Sequence, residues 1–326
     1  MHFELTPDQL ALQEAMRTFC AGRFDIASVR SLGDSGVVDR ALWSELADMG
    51  VFSLRLAEKE GGVELGWADA VLVFEELGRF LVPGPLVWTH LAAGLVPGAS
   101  TGEVIVGGVE RNDPSGLVEY FDSLDQLLVV DDDGVRLVPT AELKADPIVN
   151  PLDPLTPVSR LTDALPTGER LLDADGATRL RVQGAALVAG VMLGVSEAAT
   201  ALAVAYAKQR EQFDKPIGAF QAVKHLLADM FTRTEVARGA VYAAGVTLDD
   251  PGVGSVERAV AAAKLTAAEA GVGNGKSCIQ VHGGMGYTWE VDAHLLFKRA
   301  YVLEPLFGTR EDCADTMADL LDATLT

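Results

Sequence analysis

Arg210 and Phe213 stand three residues apart in the stretch REQFDKPIGAFQAVKHLLADM, which runs from Arg210 to Met230. A guanidinium is a planar fork of donors matched to phosphate oxygens, and Phe213 adds a flat apolar surface beside it. Such a pair can hold an anion that carries a ring. On this stretch alone, the plainer reading is a surface arginine beside a core phenylalanine. The histidines His2, His90, His225, His282 and His294 form no ligand spacing, and Cys20, Cys278 and Cys313 are scattered, so no metal site is expected.

The loop holding Arg210 must be positioned by the segment on its C-terminal side. Pro216 favours an extended residue before it and a reversal around it, and Gly218 adds backbone freedom. Beyond the loop, Phe220, Val223, Leu226, Leu227 and Met230 recur at helical spacing. They form one apolar face that calls for a partner helix.

Composition narrows the field. The 326 residues are nearly half hydrophobic, enough for a large core and more than one domain. A net charge of -21 argues against nucleic acid or an anionic membrane as the main partner. An anionic ligand therefore needs a local basic pocket. The few cysteines read as reduced thiols, and MHFELTPDQL lacks the features of a signal peptide, so a cytoplasmic protein is expected. Ala185 to Val195 is the nearest approach to a membrane span and is too short for one, which makes it a buried helix.

Along the chain, Thr6, Pro7 and Asp8 start a helix over residues 5–20. Further helices are expected at 40–49 and 67–80, the latter with Ala70, Val73, Phe74 and Leu77 on one side and Glu75 and Glu76 on the other. Glu60, Gly61 and Gly62 read as a tight turn. Residues 1–100 thus form an N-terminal helical domain. Short β-rich runs at 103–108, 126–130 and 134–139 open a small β domain over 101–181. Residues 182–326 return to helical patterning at 185–209, 220–248, 255–282 and 311–321, a four-helix bundle. The expected fold is mainly α with a small, shortened middle β domain.

Several segments resemble the acyl-CoA dehydrogenase family. They are LTPDQLALQEAMRTF, ALWSELADMGVFSLRLAEKEGG and EELGRFLVPGPL in the first domain, and YAKQREQFDKPIGAFQAVKHLLADM and IQVHGGMGYTWE in the last. The resemblance implies the family fold, usually assembled as a tetramer, and FAD-dependent α,β-desaturation of an acyl-CoA thioester. It also implies an electron-transfer flavoprotein as acceptor. Carried over by motif, Arg210, Phe213 and Gln221 face the pyrophosphate and adenine half of an FAD bound mainly by a neighbouring subunit. Gln280, Gly283 and Gly284 join them, since glycines let backbone N–H groups approach phosphate; the other reading of the glycines is a helix-ending turn. Tyr287, Trp289 and Glu290 match the end of the motif and serve structure equally well. His282 is expected to serve packing or a local hydrogen bond.

Two departures qualify the resemblance. Nothing between Thr101 and Arg181 resembles the family's TEPxAGSD segment or its WITN-like strand, which hold the isoalloxazine ring. Phe307 also stands before Gly308 and Thr309, where most members place the catalytic glutamate. Some members, the isovaleryl- and long-chain enzymes among them, carry that carboxylate near the start of an earlier bundle helix, where Glu257 is the nearest candidate. An acidic residue in a first helical turn, favoured by the helix dipole, is the competing reading of Glu257; Glu304 is a weaker candidate for the base. These losses fit a smaller, degenerate subunit of an actinobacterial α2β2 heterotetramer. Such a subunit completes the FAD site of a larger partner that acts on an acyl-CoA, including steroid side-chain CoA esters. The alternatives are an autonomous homo-oligomeric dehydrogenase using Glu257 and a flavin-free scaffold.

Overall fold

The computed structural model describes residues 4–111, 113 and 115–325, so His2 lies outside the described residues. Its helices are α1 (Pro7–Arg23), α2 (Ile26–Ser35), α3 (Arg40–Asp48), α4 (Trp67–Arg79), α5 (Leu86–Ala92), α6 (Ala174–Gln209), α7 (Gln221–Asp249), α8 (Val256–His282), α9 (Ala293–Leu303) and α10 (Arg310–Leu325). The strands of the two larger sheets are β1 (Val106–Glu110), β2 (Leu117–Glu119), β3 (Gln126–Asp131), β4 (Gly134–Pro139), β5 (Ala145–Pro147), β6 (Val158–Leu161) and β7 (Glu169–Asp173). The fold is mainly α with a small β region, as the patterning and the resemblance imply. The chain divides into two compact units.

One unit comprises Met1–Ile26, Trp67–Val82 and Ala185–Thr326. Its first helix starts at Thr6, whose hydroxyl accepts from the Gln9 N–H while the Gln9 side chain accepts from the Thr6 N–H, a capping box with Pro7 at the first helical position. Helix α4 differs from the amphipathic pattern expected of it: residues 70–78 are all buried, Glu75 and Glu76 completely. Buried carboxylates need charged or hydrogen-bonding partners, and these come from other helices. Arg17 of α1 donates to both Glu76 oxygens, and Arg238 of α7 donates to Glu75 Oε1 at 2.7 Å. Glycine permits the backbone of α4 to touch that of α6: a Cβ on Gly78 would lie 2.0 Å from the Val191 carbonyl oxygen. Helix α7 packs along α8, which also carries α9 and α10.

Helix α6 begins at Ala174. It is long and apolar enough to cross a membrane, but residues 184–196 are buried inside the protein, as expected of a core helix. Where α6, α7 and α8 meet, the Asn274 amide donates to Ser196, Thr234 and the Met230 carbonyl, and Arg233 donates to its oxygen at 2.8 Å. These polar atoms satisfy one another away from water.

The second unit comprises Ala27–Gly66 and Pro83–Gly184. Strands β1 and β3 are parallel, and β3–β4 and β4–β7 antiparallel, giving a four-stranded sheet with a register shift at Val135 and Arg136. β2, β6 and β5 form a smaller antiparallel sheet. β3 is buried over residues 127–130, which fits its unbroken run of leucine and valine. Gly61 ends a short 3-10 turn at φ 83°, in the left-handed conformation that the Glu60-Gly61-Gly62 sequence anticipates. His90 is buried against the Val51 carbonyl, and burial pushes its pKa down to about 4.

Candidate functional site

The last turn of α6 delivers Arg210. Its N–H donates to the Tyr206 carbonyl at 2.9 Å, and its own carbonyl accepts from the Ile217 N–H at 2.7 Å. Between these bonds the chain makes a short hairpin, Glu211–Gln212 against Lys215–Pro216. The two turn residues, Phe213 and Asp214, have φ of 54° and 62°. Two successive left-handed residues suit Asn-Gly far better than Phe-Asp. The strain is on the order of 1 kcal/mol or more per residue, and Phe213 in this turn is 86% exposed.

The Arg210 side chain is exposed and makes no ion pair among the described residues. Lys215 sits 4.5 Å from the centroid of the Phe220 ring, which Phe213 meets edge-on at 6.1 Å. Gly218 packs on the end of α6, where a Cβ would stand 3.0 Å from the Ala207 carbonyl oxygen. Gln221, also exposed, opens α7, and Phe220 at its N-cap supplies no side-chain hydrogen bond. First-turn N–H groups there remain available to an anion. One loop thus gathers Arg210, Phe213 and Gln221. The apolar face of α7 is less covered than its spacing predicts: Met230 alone of the five residues is buried, and Phe231 is 60% exposed.

The second cluster lies where α8 ends. Gly283 takes φ 61°, and a Cβ on either Gly283 or Gly284 would meet nothing within 4 Å. Open space over a glycine turn is what a backbone cradle for a ligand requires. Gln280 is exposed beside it. Gly286 is needed for packing, since a Cβ there would stand 2.5 Å from the Ile279 carbonyl oxygen. Tyr287 and Trp289 are 81% and 64% exposed, and Lys298 sits 4.6 Å from the Trp289 ring centroid.

The two clusters are joined by a ring pair. Tyr206, one turn before Arg210, stacks on His282, the residue before Gly283, with centroids 4.1 Å apart. His282 also bonds through Nδ1 to the Cys278 carbonyl at 2.8 Å, in keeping with the packing role expected of it.

The candidate bases fare differently. Glu257 is exposed in the first turn of α8 and accepts from the Ser255 hydroxyl at 3.1 Å. The helical rise along α8 places it about 39 Å from Gly283. Among the described residues nothing buries it as a base beside an acyl pocket requires. Glu304 is engaged in its own turn, where Oε1 accepts from the Arg310 N–H and Nε. Phe307 occupies that turn with φ 56°.

Sequence reasoning missed Lys264, a buried cation within AAAKLTAAEAG. Its Nζ donates to the carbonyls of Glu304 at 2.6 Å and Gly308 at 2.8 Å. Burial pushes its pKa down to about 8, against the pull of Cys313, Glu304 and Asp312. A lone lysine in an alanine-rich helix face was the available signal. Among the described residues, no group of three or more His, Cys, Asp or Glu converges in a way that could hold a metal.

Comparison with known proteins fits this geometry. Residues 6–102 match the acyl-CoA dehydrogenase N-terminal domain and residues 179–321 the acyl-CoA dehydrogenase C-terminal domain. The chain is 34% identical to the acyl-CoA dehydrogenase FadE34 of Mycobacterium tuberculosis over 93% of its own length, but spans only 46% of that protein. It is 32% identical to the acyl-CoA dehydrogenase IpdE2 of the same organism, covering 91% of this chain and 92% of IpdE2. Among solved structures, the Tcur3481-Tcur3483 steroid ACAD G363A variant matches with a TM-score of 0.84 at 24% identity, covering 98% of both chains. The ChsE4-ChsE5 complex from Mycobacterium tuberculosis matches with a TM-score of 0.84 at 24% identity over 99% of both chains. By its two domain matches and its full-length likeness to IpdE2, this chain belongs to the acyl-CoA dehydrogenase family.

Proposed function

We propose that this chain is the smaller subunit of an FAD-dependent acyl-CoA dehydrogenase, an oxidoreductase acting on a CH–CH bond, and that it completes the cofactor site of a larger partner. The observation that carries this reading is the display of Phe213, held outward on a strained turn beside an Arg210 that makes no ion pair among the described residues. A cation and a ring presented in this way suit a ligand that another chain holds by its other end.

The residues fit the ADP half of FAD. Arg210 would take the pyrophosphate, with backbone N–H groups at Gly283 and Gly284 closing on it through the space that no Cβ fills. Gln221 and Gln280 would hydrogen-bond at its flanks, and Phe213 would lie against the ring system. When bound, FAD supplies the hydride acceptor for the α,β-desaturation. A phenylalanine cannot remove the α proton, and Glu257 is exposed, so the base belongs to the partner. The organisation proposed is a helical domain over 1–100, a reduced β domain over 101–181 and a bundle over 182–326.

The partner reading draws support from the structural likeness to one chain of the ChsE4-ChsE5 complex, and a steroid-derived acyl-CoA from the likeness to the Tcur3481-Tcur3483 steroid ACAD. An α2β2 assembly, an electron-transfer flavoprotein as acceptor and a cytoplasmic setting complete the proposal. Purification through a tag on this chain, with Arg210→Ala beside the wild type, tests it. A yellow assembly that loses its flavin in Arg210→Ala supports the reading. Flavin unchanged in the variant contradicts it, and points to a scaffold; flavin and turnover in the chain alone, abolished by Glu257→Gln, point to an autonomous enzyme.

A further inference from the structure

We infer that the stacked pair Tyr206 and His282 is the brace that fixes the spacing between the two halves of the proposed ADP site. The inference rests on the cofactor reading above and assigns positioning roles to two residues outside the ligand-facing set.

Each ring is coupled rigidly to one half of the site. Tyr206 lies one helical turn before Arg210, and its carbonyl accepts the Arg210 N–H at 2.9 Å. His282 directly precedes Gly283 and is 5% exposed. Its Nδ1 donates to the Cys278 carbonyl at 2.8 Å, which fixes the ring against the last turn of α8. An imidazole ring held in this way is a flat platform at the helix terminus. The tyrosine ring lies on it with centroids 4.1 Å apart and planes inclined by 26°.

The site needs such a brace for an electrostatic reason. Arg210 follows the C-terminus of α6, and Gly283 follows the C-terminus of α8. Both ends present carbonyl groups and the negative pole of the helix. The carbonyl groups of either end offer a phosphate no donor. A phosphate is gripped from both sides where the Arg210 guanidinium and the Gly283–Gly284 N–H groups reach it together. Two helix ends have no backbone ladder to set their separation, and side chains must do so. A face-to-face ring contact tolerates little sliding before its dispersion contact is lost. Removing it leaves both halves present and their ends without this contact, beyond the Asn274 cluster that joins α6 and α8 deeper in the bundle.

The test uses the assembly co-purified through this chain, stripped of flavin and titrated with FAD, with flavin fluorescence and the urea unfolding midpoint both recorded. Tyr206→Phe keeps the ring and should bind FAD within about twofold of wild type. Tyr206→Ala should weaken FAD binding about tenfold, the scale of one lost aromatic contact, and His282→Leu should do the same. A merely structural role would lower the unfolding midpoint and leave the affinity of the folded fraction unchanged; that result overturns the inference. So does wild-type affinity in Tyr206→Ala alongside lost flavin in Arg210→Ala, which leaves the cofactor reading intact. Unaltered flavin in Arg210→Ala overturns the reading and the inference together. Should Tyr206→Ala fail to accumulate, Tyr206→Leu, which keeps most of the volume without the ring, reads the same way.

Discussion

The ammonium of Lys264 donates a hydrogen bond of 2.8 Å to the carbonyl of Gly308, and the same nitrogen holds the Glu304 carbonyl at 2.6 Å. One buried cation from the first third of α8 therefore ties off the end of α9 and the turn that carries Phe307. Phe307 and Gly308 both have positive φ, 56° and 106°. A turn of this kind persists only where its surroundings over-determine it.

Replacing Lys264 by methionine should therefore destabilise the unit that contains it. Two carbonyls lose a charged donor, a loss of about 2–3 kcal/mol. The urea midpoint should fall. An unchanged midpoint would show that water satisfies the turn as well as the lysine does.

The same residue gives stability a pH dependence of known sign. Its folded pKa, about 8, lies below the ordinary value of 10.5. Between those values the unfolded chain binds more protons than the folded one, so this group's contribution makes stability rise with pH. The buried thiols of Cys20 and Cys278, pushed up to about 12, act oppositely above pH 9. The comparison that isolates Lys264 is wild type against Lys264→Met from pH 8 to 9. The wild type should gain stability relative to the variant; a constant difference contradicts the assignment.

The hairpin separates strain from function. Asp214→Gly relieves a left-handed residue, φ 62°, and should stabilise the chain by about 1 kcal/mol. Flavin content should not change. Phe213→Ala removes an exposed ring, so the unfolding midpoint should hold while FAD retention falls. Paired spectra and urea curves of the two variants read both effects, and a loss of stability in Phe213→Ala would count against the display reading.

Arg238 bridges Glu75 of α4 and Glu197 of α6, and Tyr242 donates to the same Glu75 at 2.8 Å. Arg238→Met leaves buried carboxylates short of their cation, and breaking such a pair costs about 3–5 kcal/mol. Denaturant unfolding should show a loss of that order. A loss under 1 kcal/mol would mean that Arg79 takes over the charge.

Much of this was legible in the sequence because the signals are local. The proline and glycine of KPIG, the cap at Thr6 and the periodicity from Phe220 onward place their loop and helices within a few residues. Glu75 and Glu76 read as the polar side of 67–80 because the cations that pair with them, Arg17, Arg79 and Arg238, mostly lie on other helices. Nothing in the 67–80 pattern reveals an arginine more than 150 residues away. Strand β6 lies among the prolines of residues 147–166, and its backbone pairing with β2 and β5 depends on distant register. Helix α9 escaped because its apolar residues surround His294 and Arg299, both buried, instead of alternating with a polar face. At the site, motif similarity named Arg210, Phe213, Gln221, Gln280, Gly283 and Gly284. The brace between the two loops joins residues 76 positions apart, and spacing along the chain cannot show it.

The subunit proposal is tested most directly by the flavin content and native mass of the assembly purified through this chain. A second, longer dehydrogenase chain should be present in equal amount, with half as many flavins as chains. A homo-oligomer carrying one FAD in every chain would contradict the proposal.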